Sequence, residues 1–207
     1  MKKTVFVVAT NNAHKLTEIR EILANVGCEC VSLKEAGINI NIIESGKTFS
    51  ENARIKARAV YDICKRPTIA DDSGLCVDAL DGAPGIFTAR YAGAGCDSEK
   101  NMDKLLGELA GIPTQDRTAR FVSAVCAILA DGTECEAIGC VEGYIGTQPS
   151  GSGGFGYDPI FKLPNNVGIA EISERKKNAV SHRGRAIRKL AFKLRGIKKI
   201  RGIDFDK

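Results

Sequence analysis

Thr68-Ile69-Ala70-Asp71-Asp72-Ser73-Gly74-Leu75 is the stretch on which the fold of this chain turns. A short apolar run leads into two adjacent carboxylates, a hydroxyl residue and a glycine, and the run predicts a buried strand. Successive side chains on a strand point to opposite faces, so Asp71 and Asp72 cannot both front one cleft while the strand stays regular. One is expected to face the chemistry, and the other to support the backbone or reach the site through a turn. Carboxylates so placed hold a divalent cation or take a proton from water. The plainer expectation for the same residues is an Asp-Ser-Gly turn.

Upstream, Pro67 ends a helix that opens at Thr48-Phe49-Ser50-Glu51, a capping-box spacing, and carries Phe49, Ala53, Ala57, Val60 and Cys64 on one stripe. Glu51 thereby has a structural task. Glu44, in the polar turn Glu44-Ser45-Gly46, has none and is the better candidate metal ligand. Lys56 lies off the apolar stripe, facing either solvent or a cleft.

At the start of the chain, Thr4 to Ala9 reads as a buried strand. It runs into Thr10-Asn11-Asn12-Ala13-His14-Lys15 and then a helix with Leu16, Ile19, Leu23 and Val26 on one face, stopped by Gly27. A strand feeding a polar loop and a helix N-terminus makes an anion site, because free backbone N–H groups and the helix dipole both favour phosphate. Lys15 adds a mobile positive charge. Thr10 and Asn12 add hydrogen bonds, or simply cap the helix.

Downstream, Cys28 to Leu33 alternates like a second strand, Ile38 to Ile43 reads as extended, and Asp81 to Gly85 is a turn cluster. Ser98 is placed to cap a helix bearing Met102, Leu105, Leu106 and Leu109. Arg120 to Ala130 and Thr133 to Val141 form long strands joined by the hairpin signal Asp131-Gly132. Antiparallel strands beside helices predict a mixed sheet. In the segment from Gln148 to Pro159, Gly151, Gly153, Gly154 and Gly156 let the backbone approach a ligand closely. Phe155 or Tyr157 is placed to stack on a base, and Asp158 to accept from base N–H groups. Lys177, Ser181, His182 and Arg183 precede a helix with Ile187, Leu190, Ala191 and Leu194 inward, and form a polar reader of a substrate.

The totals bound these readings. A chain of 207 residues is one ample domain or two joined lobes, and 43% apolar with 27% charged residues is ordinary for a soluble globular protein. The net charge of +5 is mild but concentrated: Lys176, Lys177, Arg183, Arg185, Arg188, Lys189, Lys193, Arg195, Lys198, Lys199, Arg201 and Lys207 crowd the C-terminal part. Such a cluster suits phosphate-bearing partners or a solvated helix face. After the basic start Met1-Lys2-Lys3, the apolar run from Val5 to Ala9 is too short for a signal-peptide core, and no stretch approaches a membrane span, so a cytoplasmic location is the default. The eight cysteines contain no C-x-x-C pair and read as buried reduced thiols.

A phosphate loop, a carboxylate pair, a Gly-aromatic-Asp loop and a Lys/His/Arg cluster together suit a nucleoside triphosphate with a metal ion. Thr10-x-Asn12-x-x-Lys15 comes first, then Ala70-Asp-Asp-Ser-Gly-Leu75 with Gly82-Ala-Pro-Gly85 and Ala89-Arg90-Tyr91. Gly153-Gly-Phe-Gly-Tyr-Asp-Pro159 and Ser181-His-Arg183 follow, in an order that resembles the inosine/xanthosine triphosphate pyrophosphatases. The motifs span nearly the whole chain. The resemblance implies an α/β fold, a long mixed β-sheet flanked by helices, with two lobes and a central nucleotide-binding cleft in a single pyrophosphatase domain over 1–207. It implies hydrolysis of ITP, dITP or XTP to the monophosphate and pyrophosphate with magnesium, in a homodimer, with no membrane and no stable nucleic-acid binding.

Carried over by position, Thr10, Asn11, Asn12, Ala13, His14, Lys15 and Lys56 match phosphate-contacting residues. Glu44 and Asp72 match metal ligands, and Asp72 also the general base; whether Glu44 or Asp71 completes the metal site stays open. Ser73, Phe155, Gly156, Tyr157, Asp158, Lys177, His182 and Arg183 match substrate-binding positions. Asn11 stands where many members carry glycine. Two alternatives remain: a pyrimidine triphosphate pyrophosphatase, and a nucleic-acid-binding protein using the basic helix with Phe155 and Tyr157.

Overall fold

The computed structural model describes residues 4–200, with side chains through residue 196. Met1, Lys2, Lys3, Arg201 and Lys207 lie outside the described residues, as do the side chains of Lys198 and Lys199.

Strand β1, Val5–Val8, is buried on both faces: Phe6 and Val8 join one apolar cluster, Val7 and Ala9 another. That is the signature of a central strand with helices on both sides. It pairs in parallel with β2, Glu29–Ser32, and with β3, Thr68–Val77. The sheet continues through β4, Thr118–Ile128, and β5, Glu134–Ile145, to the short β6, Phe161–Lys162, in the order β2-β1-β3-β4-β5-β6. β5 and β6 are antiparallel, so the sheet is mixed, as the sequence predicts. The Asp131-Gly132 turn joins β4 to β5, with Gly132 at φ +81° and its N–H donating to the carbonyl of Leu129.

β3 departs from expectation. It does not turn at Asp-Ser-Gly but continues as strand through Val77, because Leu75 and Val77 are fully buried in an apolar cluster beyond the glycine.

The chain divides into two compact units. The first comprises Met1–Asp72, Ser123–Gly139 and Arg183–Lys207. One face of its strands is covered by α1, Ala13–Asn25, and α5, His182–Ile200, through Ile19, Ile22, Leu23, Ile187, Leu190 and Leu194. The other is covered by α2, Phe49–Cys64, through Ala53, Ala57 and Val60. Thr48 caps α2 by accepting from the Glu51 N–H, while the Glu51 carboxylate accepts from Lys47 N–H rather than from the cap residue. Lys65, left-handed at φ 50°, closes α2 ahead of Pro67.

The second unit comprises Ser73–Val122 and Cys140–His182. Its core gathers Leu75, Val77, Phe121, Val141, Ile145, Tyr157, Ile160 and Phe161 with Leu105 and Leu109 around α3, Ser98–Glu108. Gly85–Arg90 forms a 3-10 helix, and Lys177 lies on α4, Glu174–Val180. No helix among the described residues is long and apolar enough to cross a membrane.

Candidate active site

The alternation of β3 decides what each carboxylate meets. Ile69 and Asp71 face the side covered by α1 and α5; Ala70 and Asp72 face the side covered by α2. Asp71 accepts from Arg183 Nε of α5 at 3.1 Å and pairs with Lys15 of α1 at 3.5 Å. Arg183, almost wholly buried, also binds Glu18 of α1. Burial opposes the Asp71 charge, but the Arg183 guanidinium, then Lys15 and Lys56, outweigh it and hold the carboxyl well below the usual range.

Asp72 is served from α2. Its Oδ2 accepts from Asn52 Nδ2 at 3.1 Å, and its Oδ1 lies 3.2 Å from Lys56 Nζ. The same ammonium is 2.9 Å from Glu44 Oε1. Asn52 and Lys56 are one helical turn apart, which is why both reach one carboxylate. Asn52 Oδ1 in turn accepts from Gly46 N–H at 2.8 Å, pinning the turn that carries Glu44. A Cβ at Gly46 would stand 2.7 Å from that oxygen, so only glycine lets this turn lie so close. Burial, aided by Glu44, pushes the Asp72 carboxyl up against the opposing pull of Lys56, Lys15 and the Asn52 bond. For Lys56, burial works against the charge, but Asp72, Asp71 and Glu44 prevail and raise its pKa. Burial lowers that of Lys15, against the attraction of Asp71.

These contacts also test whether a divalent ion suits the site. Asp72 Oδ1 and Glu44 Oε1 converge on one cation, the Lys56 ammonium. Hard oxygen donors converging on positive charge are what magnesium takes, so the residues fit it. A second acidic group, Cys126 with Glu134 and Glu136, has ligand atoms within 4.8 Å of one another. There Arg54 and Arg58 already engage the carboxylates, and burial pushes the Cys126 thiol up to about 12, so that trio is internally neutralised.

The loop ahead of α1 does double duty. Asn12 caps the helix by accepting from Lys15 N–H at 3.0 Å, and Thr10 Oγ1 accepts from Asn12 N–H at 3.2 Å. Asn11, Asn12, Ala13 and His14 are exposed. The first-turn N–H groups of a helix have no intrahelical acceptors, so this loop keeps the donor character expected of it.

In the second unit, Asp158 Oδ2 accepts from Phe155 N–H and from Lys177 Nζ, each at 2.8 Å. Both Asp158 and Lys177 are buried, and Lys177 Nζ also sits 4.7 Å from the Phe155 ring centre. Gly154, at φ +76°, is required, since a Cβ there would lie 2.2 Å from Asp158 Oδ2. Of the two candidate stacking aromatics, Tyr157 is packed in the core and donates to the Thr88 carbonyl at 2.9 Å, and burial raises its phenol pKa. Phe155 is left as the partly exposed ring. His182 is buried and stacks on Phe121 at 5.0 Å. Ser73 is buried at the start of this unit.

Glu18, Asn52 and Thr88 hold these groups in place, and the sequence reading did not single them out. Glu18 follows Lys15 by one helical turn and Asn52 precedes Lys56 by one, so a polar stripe was the available signal. Thr88, which accepts from Leu75 N–H through Oγ1, carries no such signal.

The profile of the Ham1 family matches residues 6–193. A dITP/XTP pyrophosphatase of Halalkalibacterium halodurans is 48% identical over 189 residues, 89% of this chain and 96% of that protein. One from Clostridium perfringens is 46% identical over 206 residues, covering 96% of this chain and 100% of its own. Among solved structures, the Staphylococcus aureus Ham1 protein matches with a TM-score of 0.82 at 37% identity, covering 94% of this chain and 100% of that one. With identity of this order sustained over nearly the full length of each relative, the chain belongs to the Ham1 family.

Proposed function

We propose that this protein hydrolyses the α–β phosphoanhydride of non-standard purine nucleoside triphosphates (dITP, ITP and XTP), giving the monophosphate and pyrophosphate. The observation that carries this reading is Asp72: a buried carboxylate held by Asn52 that shares one cation with Glu44. Its pyrophosphatase relatives and the family sequence motifs support the substrate class.

Lys15, Lys56 and the exposed N-terminal turn of α1 neutralise and orient the triphosphate. Asp72 accepts the proton of the attacking water. Asn52 holds Oδ2 of that carboxylate in place. Asp71 with Arg183 and Glu18 fixes the position of Lys15. Glu44 and Asp72 would hold magnesium, which neutralises phosphate charge and lowers the pKa of bound water.

In the second unit, Phe155 stacks on the base while Asp158, Lys177, His182 and the loop amides meet its polar edge. A 6-keto purine offers an acceptor and an N1–H donor, and adenine the reverse. Mismatched buried polar groups discriminate by about 10⁴-fold or more.

The protein acts on free nucleotides in the cytoplasm as a homodimer. Against a nucleic-acid role, Lys189 and Lys193 of the basic helix donate to the backbone carbonyls of Ile138 and Glu136, which gives them structural work. The test is pyrophosphate release from ITP, XTP, dITP, GTP, ATP and UTP, with magnesium and with chelator. Magnesium-dependent turnover confined to the inosine and xanthosine nucleotides is expected. Turnover centred on UTP, or none at all with binding to single-stranded DNA instead, would replace it.

A further inference from the structure

The glycine-rich loop is gripped at both ends by lysines, and only one of them belongs to the proposed substrate site. At the far end Lys177 holds Asp158. At the near end Lys162 Nζ donates to Ser150 Oγ at 2.6 Å and pairs with Glu171 Oε1 at 2.7 Å. The other Glu171 oxygen accepts from Gly168 N–H at 2.9 Å, so the carboxylate is fixed before it reaches the lysine.

The loop backbone lies against this anchor. Ser150 N–H donates to the Pro159 carbonyl at 2.8 Å, and Gly153 N–H to the Ala170 carbonyl at 3.0 Å. A Cβ on Gly151 would come within 2.5 Å of the Ala170 carbonyl, so the first half of the loop is seated on the residue that precedes Glu171. Lys162 is itself fixed in register, paired with Tyr144 across β5 and β6.

We propose that Lys162, oriented by Glu171, is a positioning residue that sets the conformation of residues 150–158 and thereby the affinity for the base. The inference rests on the reading of Phe155 to Asp158 as the base-binding segment. An ion pair whose carboxylate is open to solvent contributes little to global stability. What distinguishes this one is the third partner, the Ser150 hydroxyl, which turns a surface pair into a loop anchor. Its loss therefore frees the loop while leaving the fold intact, and the cost falls on substrate binding rather than on the Asp72 chemistry.

The experiment compares the full-length wild type with Lys162→Met, Lys162→Arg, Ser150→Ala and Phe155→Ala. It measures thermal midpoint, amide hydrogen exchange over residues 150–158, and kcat and KM for dITP. Loss of a charge-assisted bond predicts exchange in the loop about tenfold faster in Lys162→Met, KM for dITP raised about three- to tenfold, and kcat within about twofold. Lys162→Arg restores both. Ser150→Ala, which removes the loop's acceptor and leaves the ion pair, moves exchange and KM in the same direction and serves if Lys162→Met folds poorly. Unchanged loop exchange in folded Lys162→Met and Ser150→Ala would overturn the anchor. Faster exchange with unchanged KM would overturn its link to substrate. An unchanged KM in Phe155→Ala would instead remove the base-binding reading beneath it, and so the two failures are told apart.

Discussion

Adjacent residues of identical type do different work here, because a strand hands them to different layers. Asp71 is an internal counter-ion for Arg183 and Lys15, whereas Asp72 meets Asn52 and Lys56. Removing one partner of a buried ion pair leaves an uncompensated charge. Asp71→Asn is accordingly expected to destabilise the protein by roughly 3–5 kcal/mol, read by urea unfolding. Glu171 yields a pH prediction. The Lys162 bond, then Ser150 and the Gly168 N–H, depress its carboxyl to about 2. A lowered folded pKa means the contribution is complete above the unfolded value of about 4.3 and is lost as pH falls through about 2. Because solvent screens an exposed carboxylate, Glu171→Gln should lie only slightly below wild type in thermal midpoint at neutral pH, with that small gap closing as pH drops through the window. A gap independent of pH would contradict the assignment.

Elements set where these residues stand. α2 carries Asn52 and Lys56, and its start is fixed by Thr48 accepting from Glu51 N–H. Thr48→Ala is expected to cost about 1 kcal/mol of stability, measured by denaturant midpoint. In the glycine-rich loop, Gly154 combines positive φ with a Cβ position that Asp158 occupies. Gly154→Ala should raise KM for dITP with a smaller change in kcat; an unchanged KM would show that the loop conformation does not matter to substrate. Lys189 and Lys193 tie α5 to β5 by donating to the carbonyls of Ile138 and Glu136.

At the scale of the whole molecule, much of the secondary structure was readable because it rests on local pattern: the continuous apolar run of β1, the Thr48 cap, the turn at Asp131-Gly132. The continuation of β3 past Ser73-Gly74 was not, because turn-forming residues outweigh propensity locally and only the burial of Leu75 and Val77 reverses them. The site was legible as motifs but not as partnerships. Arg183 reaches Asp71 across 112 positions and Glu18 across 165, a separation no periodicity encodes. Lys56, ambiguous from its place on the helix, is settled as buried between Glu44 and Asp72 by tertiary packing.

The central claim is that Asp72 performs the chemistry while its neighbour holds the structure. Asp72→Asn, assayed for pyrophosphate release from dITP with magnesium, tests this most directly. A loss of kcat of about 10²- to 10⁴-fold is expected, with the thermal midpoint near that of wild type. Retention of most of the wild-type kcat, or a loss that follows unfolding, would contradict it.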